Sequence, residues 1–145
     1  MRARQKAIES YGEVNVVSGV NSADNVQLIQ MLFDGLVESL KSAEGQINRG
    51  EIAGKAKSLA RASKIVLGLQ NALDFDEGGE IATNLNELYS YVVRRLFHVN
   101  AHNDIEALKE IHGLMEEIRQ AWKSVPSLIG TKKNNSGSRK EAVAN

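Results

Sequence analysis

Proline occurs once in this chain, at Pro126, so nothing before it carries the ring that breaks a helix interior. β-Branched alternation is also sparse, and apolar residues instead recur at intervals of three and four. That period belongs to amphipathic helices, and it points to an all-α fold. The 145 residues suffice for one domain with its own core, and the absence of cysteine removes disulfides, zinc-thiolate sites and cysteine nucleophiles.

Four long helices are expected from caps and periodicity. Asp24 followed by Gln27 is placed as a capping box ahead of VQLIQMLFDGLVESL, predicting a helix over Asn25–Arg49 with Gly50 as its left-handed stop. Ile52, Leu59, Val66 and Leu73 then recur every seven residues, with Ala56, Ala62 and Leu69 on the same face. Asp74 to Gly79 reads as a polar connector, with Gly78-Gly79 as a turn. A third helix follows from Ile81, and Asn103 with Glu106 forms a second candidate capping box. The last helix carries Ile105, Leu108, Ile111, Met115, Ile118 and Trp122. Short connections between four long helices predict an antiparallel four-helix bundle over residues 23–125. Residues 1–22 are expected to form an N-terminal arm with a short helix around Ala7 to Tyr11. Residues 126–145 are polar and basic, and are expected to be a disordered tail.

Two helices are wider in apolar character than a bundle requires. At steps of about 100° per residue, the third places Ile81, Leu85, Leu88, Tyr89, Val92, Val93, Leu96, Phe97 and Val99 on roughly half its circumference. The first does the same with Val26, Leu28, Ile29, Leu32, Phe33, Leu36, Val37 and Leu40, with Met31 beyond the edge. An ordinary surface helix needs a stripe of only about 100°. Two accounts stay open on pattern alone. The wide helices can lie diagonally or centrally and bury both flanks, or they can form a groove for an amphipathic helix of another protein. In the second case Ile8 and Tyr11 of the N-terminal arm could cover the groove.

Most chemistry is disfavoured by the same residues. Eighteen basic and eighteen acidic residues cancel, removing the long-range field that gathers nucleic acid. No run of 18 or more apolar residues crosses a membrane, no signal-peptide pattern opens the chain, and a cytosolic protein is expected. No Glu stands three residues before any histidine, which argues against the di-metal centre that many bundles hold, and no metal or other cofactor is expected. His98 and His102 read as solvated side chains near a helix end. Arg94 and Arg95 read as part of a solvated, salt-bridged face. Neither a phosphate loop nor a Gly-x-Ser-x-Gly elbow is present, so no enzyme activity is expected. His112 leaves one alternative, a histidine phosphotransfer bundle, although Glu116 and Glu117 beside it would repel a phosphoryl group.

A set of short motifs in fixed order carries a resemblance. Met31-Leu32-Phe33-Asp34-Gly35, Leu73-Asp74, Gly78-Gly79-Glu80-Ile81-Ala82, Asn84-Leu85, Leu88-Tyr89-x-Tyr91, Arg94-Arg95-Leu96, Asn103-Asp104 and Arg119-x-Ala121-Trp122 together resemble the FliS-type flagellin export chaperones. The likeness runs from about Tyr11 to Trp122. Tyr11 and Val16 approximate the family's N-terminal Tyr-x-x-x-x-Val pattern, whereas Asp24-Asn25 stands where the family commonly has Ser-Pro. The resemblance implies a cytosolic, ATP-independent chaperone that binds the C-terminal helical region of flagellin and prevents premature polymerisation. It also implies delivery to the flagellar type III export apparatus, with export-gate components as further partners and a monomer or weak homodimer as the working form. By periodicity and analogy, the partner-binding residues are expected to be Ile8, Tyr11, Leu28, Leu32, Leu36, Tyr89, Val93, Leu96 and Phe97.

Overall fold

The computed structural model describes residues 22–124. They form four α-helices and no strand: α1 (Ser22–Arg49), α2 (Ile52–Asn71), α3 (Phe75–His102) and α4 (Ile105–Lys123). The N-terminal arm through residue 21, with Ile8 and Tyr11, and the tail after Ser124 lie outside the described residues.

The helices form the expected antiparallel bundle, packed in a square. α1 and α3 each lie against both α2 and α4, so the two wide helices are diagonal to one another. Each wide arc therefore has two neighbours to meet. Leu36, Leu40 and Ala43 of α1 are fully buried, as are Val66 of α2, Val92 and Val99 of α3, and Leu108, Ile111 and Met115 of α4. Burying side chains of this size stabilises the fold by about 1.5–3 kcal/mol apiece.

Three boundaries differ from the sequence reading. α1 begins at Ser22, so Asp24 falls inside the first turn and not before it. An acidic residue is as compatible with the positive end of a helix as with its cap, which is why the motif misplaces the start. Asp74 to Gly79 is not a loop. Asp74 is the N-cap of α3, and one of its carboxylate oxygens accepts from the backbone N–H of Asp76 and of Glu77, both at 3.1 Å. The helix then kinks at Gly79 (φ 50°, ψ −124°), a backbone state open essentially to glycine alone. The third correction concerns the last connection. Asn103 ends α3 in the left-handed conformation (φ 54°), and Asp104 is the cap of α4, accepting from the Ala107 N–H at 3.1 Å.

Gly50 does stop α1 as expected. With φ 71° it lets Glu51 N–H reach Gln46 C=O at 2.8 Å and its own N–H reach Ile47 C=O at 3.1 Å. This is the Schellman pattern, which satisfies the last carbonyls of the helix.

The heptad of α2 is only partly inward. Ile52 is 68% exposed and Ala56 is exposed, whereas Lys55 is buried at 6% exposure. A strict seven-residue repeat drifts by about 20° per heptad on a straight helix, so the first member, Ile52, stands furthest from the core. Lys55 lies within the buried arc instead. Its ammonium donates to Asn103 Oδ1 at 2.6 Å and to Asn100 C=O at 2.9 Å, joining α2 to the end of α3.

Asn103 therefore has two roles, a left-handed turn and an acceptor for a buried cation. Asn103→Ala should destabilise the bundle by roughly 2–4 kcal/mol, combining the left-handed penalty with the lost acceptor. Asn103→Gly, which keeps the backbone state, should lose only about 1–3 kcal/mol. Urea unfolding of the two variants checks the ordering.

Candidate functional site

Both margins of the α1 arc open into apolar depressions in the N-terminal half of the helix. Toward α2, a groove of about 290 Å³ is lined by Leu28, Met31, Leu32, Gly35 and Ile65, with Arg61 and Lys64 at its rim. Gly35 shapes its floor. A β-carbon there would stand 3.2 Å from Arg61 Nη2 and 3.4 Å from Ile65 Cδ1, so the missing side chain lets α2 approach. Arg61 crosses this point and donates to Ser39 Oγ at 2.6 Å, which satisfies a serine that is itself buried.

On the other margin lies a cavity of about 330 Å³ at the end of the bundle. Ile29 and Phe33 of α1, Leu73 after α2, Ile81, Leu85 and Tyr89 of α3, and Ile118 and Trp122 of α4 are among the residues that line it. The kink at Gly79 sets its outer edge. Past the kink, Ile81 stands 70% exposed beside this apolar lining. Trp122 lies with its ring centroid 6.4 Å from that of Phe33 and directs its indole N–H to Val26 C=O at 3.5 Å, closing α4 over the start of α1. Asp34 and Arg119 tie the same two helices at 2.8 Å.

The residues expected to bind a partner do not form one surface. Leu28 and Leu32 line the groove on α1, and Tyr89 lines the end cavity. Leu36 and Leu96 are buried in the core and line neither depression, and Leu28, Leu32 and Tyr89, although they line one, are themselves buried. Phe97, 68% exposed, and the half-buried Val93 follow Asn86 and Ser90 along the α3 face that meets Gln70 of α2. Ile8 and Tyr11 lie outside the described residues. Met31, 45% exposed, and Ile81 are accessible apolar side chains of the two depressions that the expected set omits. Ile81 belongs to the wide arc of its helix and Met31 lies just beyond the edge of the other, and which edge faces outward follows from the helix order and not from periodicity.

The polar candidates are tied down. His112 Nδ1 lies 2.6 Å from Glu44 Oε2, with both side chains mostly buried between α1 and α4. An imidazole held by a carboxylate is the reverse of an open phosphoacceptor. His98 is not simply solvated, because its Nε2 is 2.8 Å from Asp104 Oδ2 and its ring stacks near His102. That contact, followed by the Ala107 N–H, holds the Asp104 carboxyl below the usual range. Arg94 is exposed, but Arg95 is not, and its Nε is buried without a partner while Nη2 lies 3.8 Å from Glu110. Among the described residues, no group of three or more His, Asp or Glu side chains is placed to hold a metal ion. Nor is any described helix long and apolar enough to cross a membrane.

A sequence profile for flagellar protein FliS matches residues 7–128. The chain belongs to the FliS family. It is 44% identical over 119 residues to the flagellar secretion chaperone FliS of Salmonella typhimurium, covering 81% of this chain and 88% of that one. It is 41% identical over 128 residues to FliS of Escherichia coli, covering 86% and 94%. The flagellar secretion chaperone FliSB of Pseudomonas aeruginosa is 37% identical over 120 residues, covering 83% and 95%. The FliS match contains all four helices and both depressions.

Tyr89 offers a direct probe of the cavity. Burial pushes its phenol up to about 12. The unfolded chain ionises its tyrosines near pH 10, so Tyr89 takes nothing from stability below that pH. Between about pH 10 and 12 it should remove about 2–3 kcal/mol, as only the unfolded form gives up the proton. Ultraviolet titration of tyrosinate should show one late-ionising group, absent in Tyr89→Phe.

Proposed function

We propose that this chain is a cytosolic, ATP-independent export chaperone. It binds the C-terminal helical region of flagellin, keeps that region from polymerising prematurely, and supports its delivery to the flagellar type III export apparatus. The observation that carries the reading is FliS membership across residues 7–128. The secretion-chaperone relatives and the two open apolar depressions beside α1 support it.

The mechanism follows from the surface. A soluble domain gains by covering accessible side chains such as Met31 and Ile81, and an amphipathic client helix can cover them. A client that is disordered alone loses chain entropy as it folds on the bundle, which offsets part of the burial gain and keeps the complex reversible. Release then requires no nucleotide, only a competing site at the export gate. The phosphotransfer alternative has no comparable support, since His112 is engaged by Glu44.

A flagellin C-terminal peptide mixed with the protein should gain helicity by circular dichroism, and absence of both binding and added helix would remove the reading. Ile81→Lys should weaken that binding by about tenfold or more, in the range of an interface hot spot. Because the side chain is mostly exposed, it should leave stability within about 0.5 kcal/mol.

The N-terminal arm is the second element of the proposal. If Ile8 and Tyr11 cover part of the groove, they act as an intramolecular competitor and lower the apparent affinity by the uncovered fraction. Deleting residues 1–15 should then raise peptide affinity or association rate, measured by fluorescence anisotropy. Unchanged values would make the arm a passive extension.

A further inference from the structure

The two depressions differ in charge more than in shape. Both have apolar floors, and both adjoin the N-terminal half of α1. The groove toward α2 has Arg61 and Lys64 at its rim. Arg61 is committed to Ser39 and Gly35 C=O, and Glu38 lies 3.9 Å from it. Lys64 is exposed and forms no ion pair among the described residues. The end cavity has Asp74 and Glu77 at its rim, in a segment that also carries Asp76 and Glu80. Between Lys64 and Arg94 the sequence has no Lys or Arg at all; Asp74 is held by the backbone N–H groups of Asp76 and Glu77, whereas Glu77 has no ion pair among the described residues. On the α4 side, Arg119 is engaged by Asp34 and Glu116.

We propose that the two depressions hold two apolar anchors of one client chain with opposite flanking charge. The anchor in the α1–α2 groove is flanked by carboxylates that meet Lys64, and the anchor in the end cavity is flanked by Lys or Arg that meet Glu77. The inference rests on the chaperone reading given above, and it adds the direction in which the client crosses α1. Apolar floors alone accept an amphipathic helix in either sense, because burial is non-directional. Unlike rims separate the two senses, since the reversed client places like charges together at both ends.

The test uses the full chain, two labelled amphipathic peptides with the same apolar face and either Glu or Lys flanks, and a flagellin C-terminal peptide. Lys64→Glu should weaken the Glu-flanked peptide by about three- to tenfold at low salt and spare the Lys-flanked one. Glu77→Lys should do the opposite, with Glu77→Gln giving a smaller loss of the same sign. Both effects should shrink as salt rises. The flagellin peptide should be weakened by each reversal. Thermal unfolding of the variants verifies that these surface positions leave the fold intact.

Failure of the flagellin peptide to bind the unaltered chain would sink the chaperone reading itself. If it binds but ignores both reversals, or if both designed peptides respond alike, the polarity proposal alone is overturned. A photo-crosslinking residue at Ile81 should capture the client. Capture of the chain's own terminal arm at saturating client would also overturn the two-anchor assignment.

Discussion

The burial of one α1 strip, Leu32, Leu36, Leu40 and Ala43, is the constraint on which the rest of the bundle depends. These side chains meet α2 on one side and α4 on the other, and so fix which helices are neighbours. With α1 wedged between them, α3 takes the diagonal place. The arc of α1 is wider than this strip, and its surplus has nowhere to go but outward. Just beyond its α2 margin Met31 stands exposed, and on the opposite margin the half-buried Ile29 lines the end cavity beside the buried Phe33. The diagonal account of the wide helices holds, since each lies between the same two neighbours. The centre of each arc is core, and its edges are surface.

The bundle has two dissimilar ends. At one, the α1–α2 and α3–α4 connections are held by polar contacts: the Schellman turn at Gly50, the Lys55 ammonium on Asn100 and Asn103, and the Asp104 cap with His98 beside it. A buried cation with good acceptors is costly to separate from them, because its desolvation is not recovered elsewhere. At the other end, α3 starts with a capped turn, kinks at a glycine, and leaves Phe75 and Ile81 accessible. Both described chain ends, Ser22 and Ser124, belong to this second end.

The helix count, the antiparallel order and most of the buried positions were legible because they rest on period and composition. Leu108, Ile111 and Met115 fall where simple spacing puts them. What failed was whatever depended on local backbone choice or on neighbours. Gly78-Gly79 looks the same in sequence whether it ends a helix or kinks one, and only the Asp74 cap shows that the helix has already begun. Lys55 was invisible because a lysine in an apolar arc is ordinarily solvated, and its acceptors come from residues 45 and 48 positions away. The site was half legible. Leu28, Leu32 and Tyr89 line the depressions while being buried themselves, whereas Leu36 and Leu96, from the same arcs, are core and line neither. Periodicity finds the arc but not its edges, since a helix two residues further round presents the same pattern to a different neighbour.

The asymmetry between the ends bears on how a chaperone of this kind stays folded while its surface is exposed. Apolar side chains left open lower solubility, and the same side chains buried by a client raise affinity. A bundle that placed them all along its length would have little left to hold itself together. Here α1 is almost fully buried at Phe33, Leu36, Leu40 and Ala43, and its large apolar side chain that stands clearly exposed among the described residues, Met31, lies in the first half. Leu32, Phe33 and Tyr89 belong to the core cluster and also line the depressions, so the packing that stabilises the bundle also holds the depression walls in place, and the exposed Met31 and Ile81 stand outside that cluster.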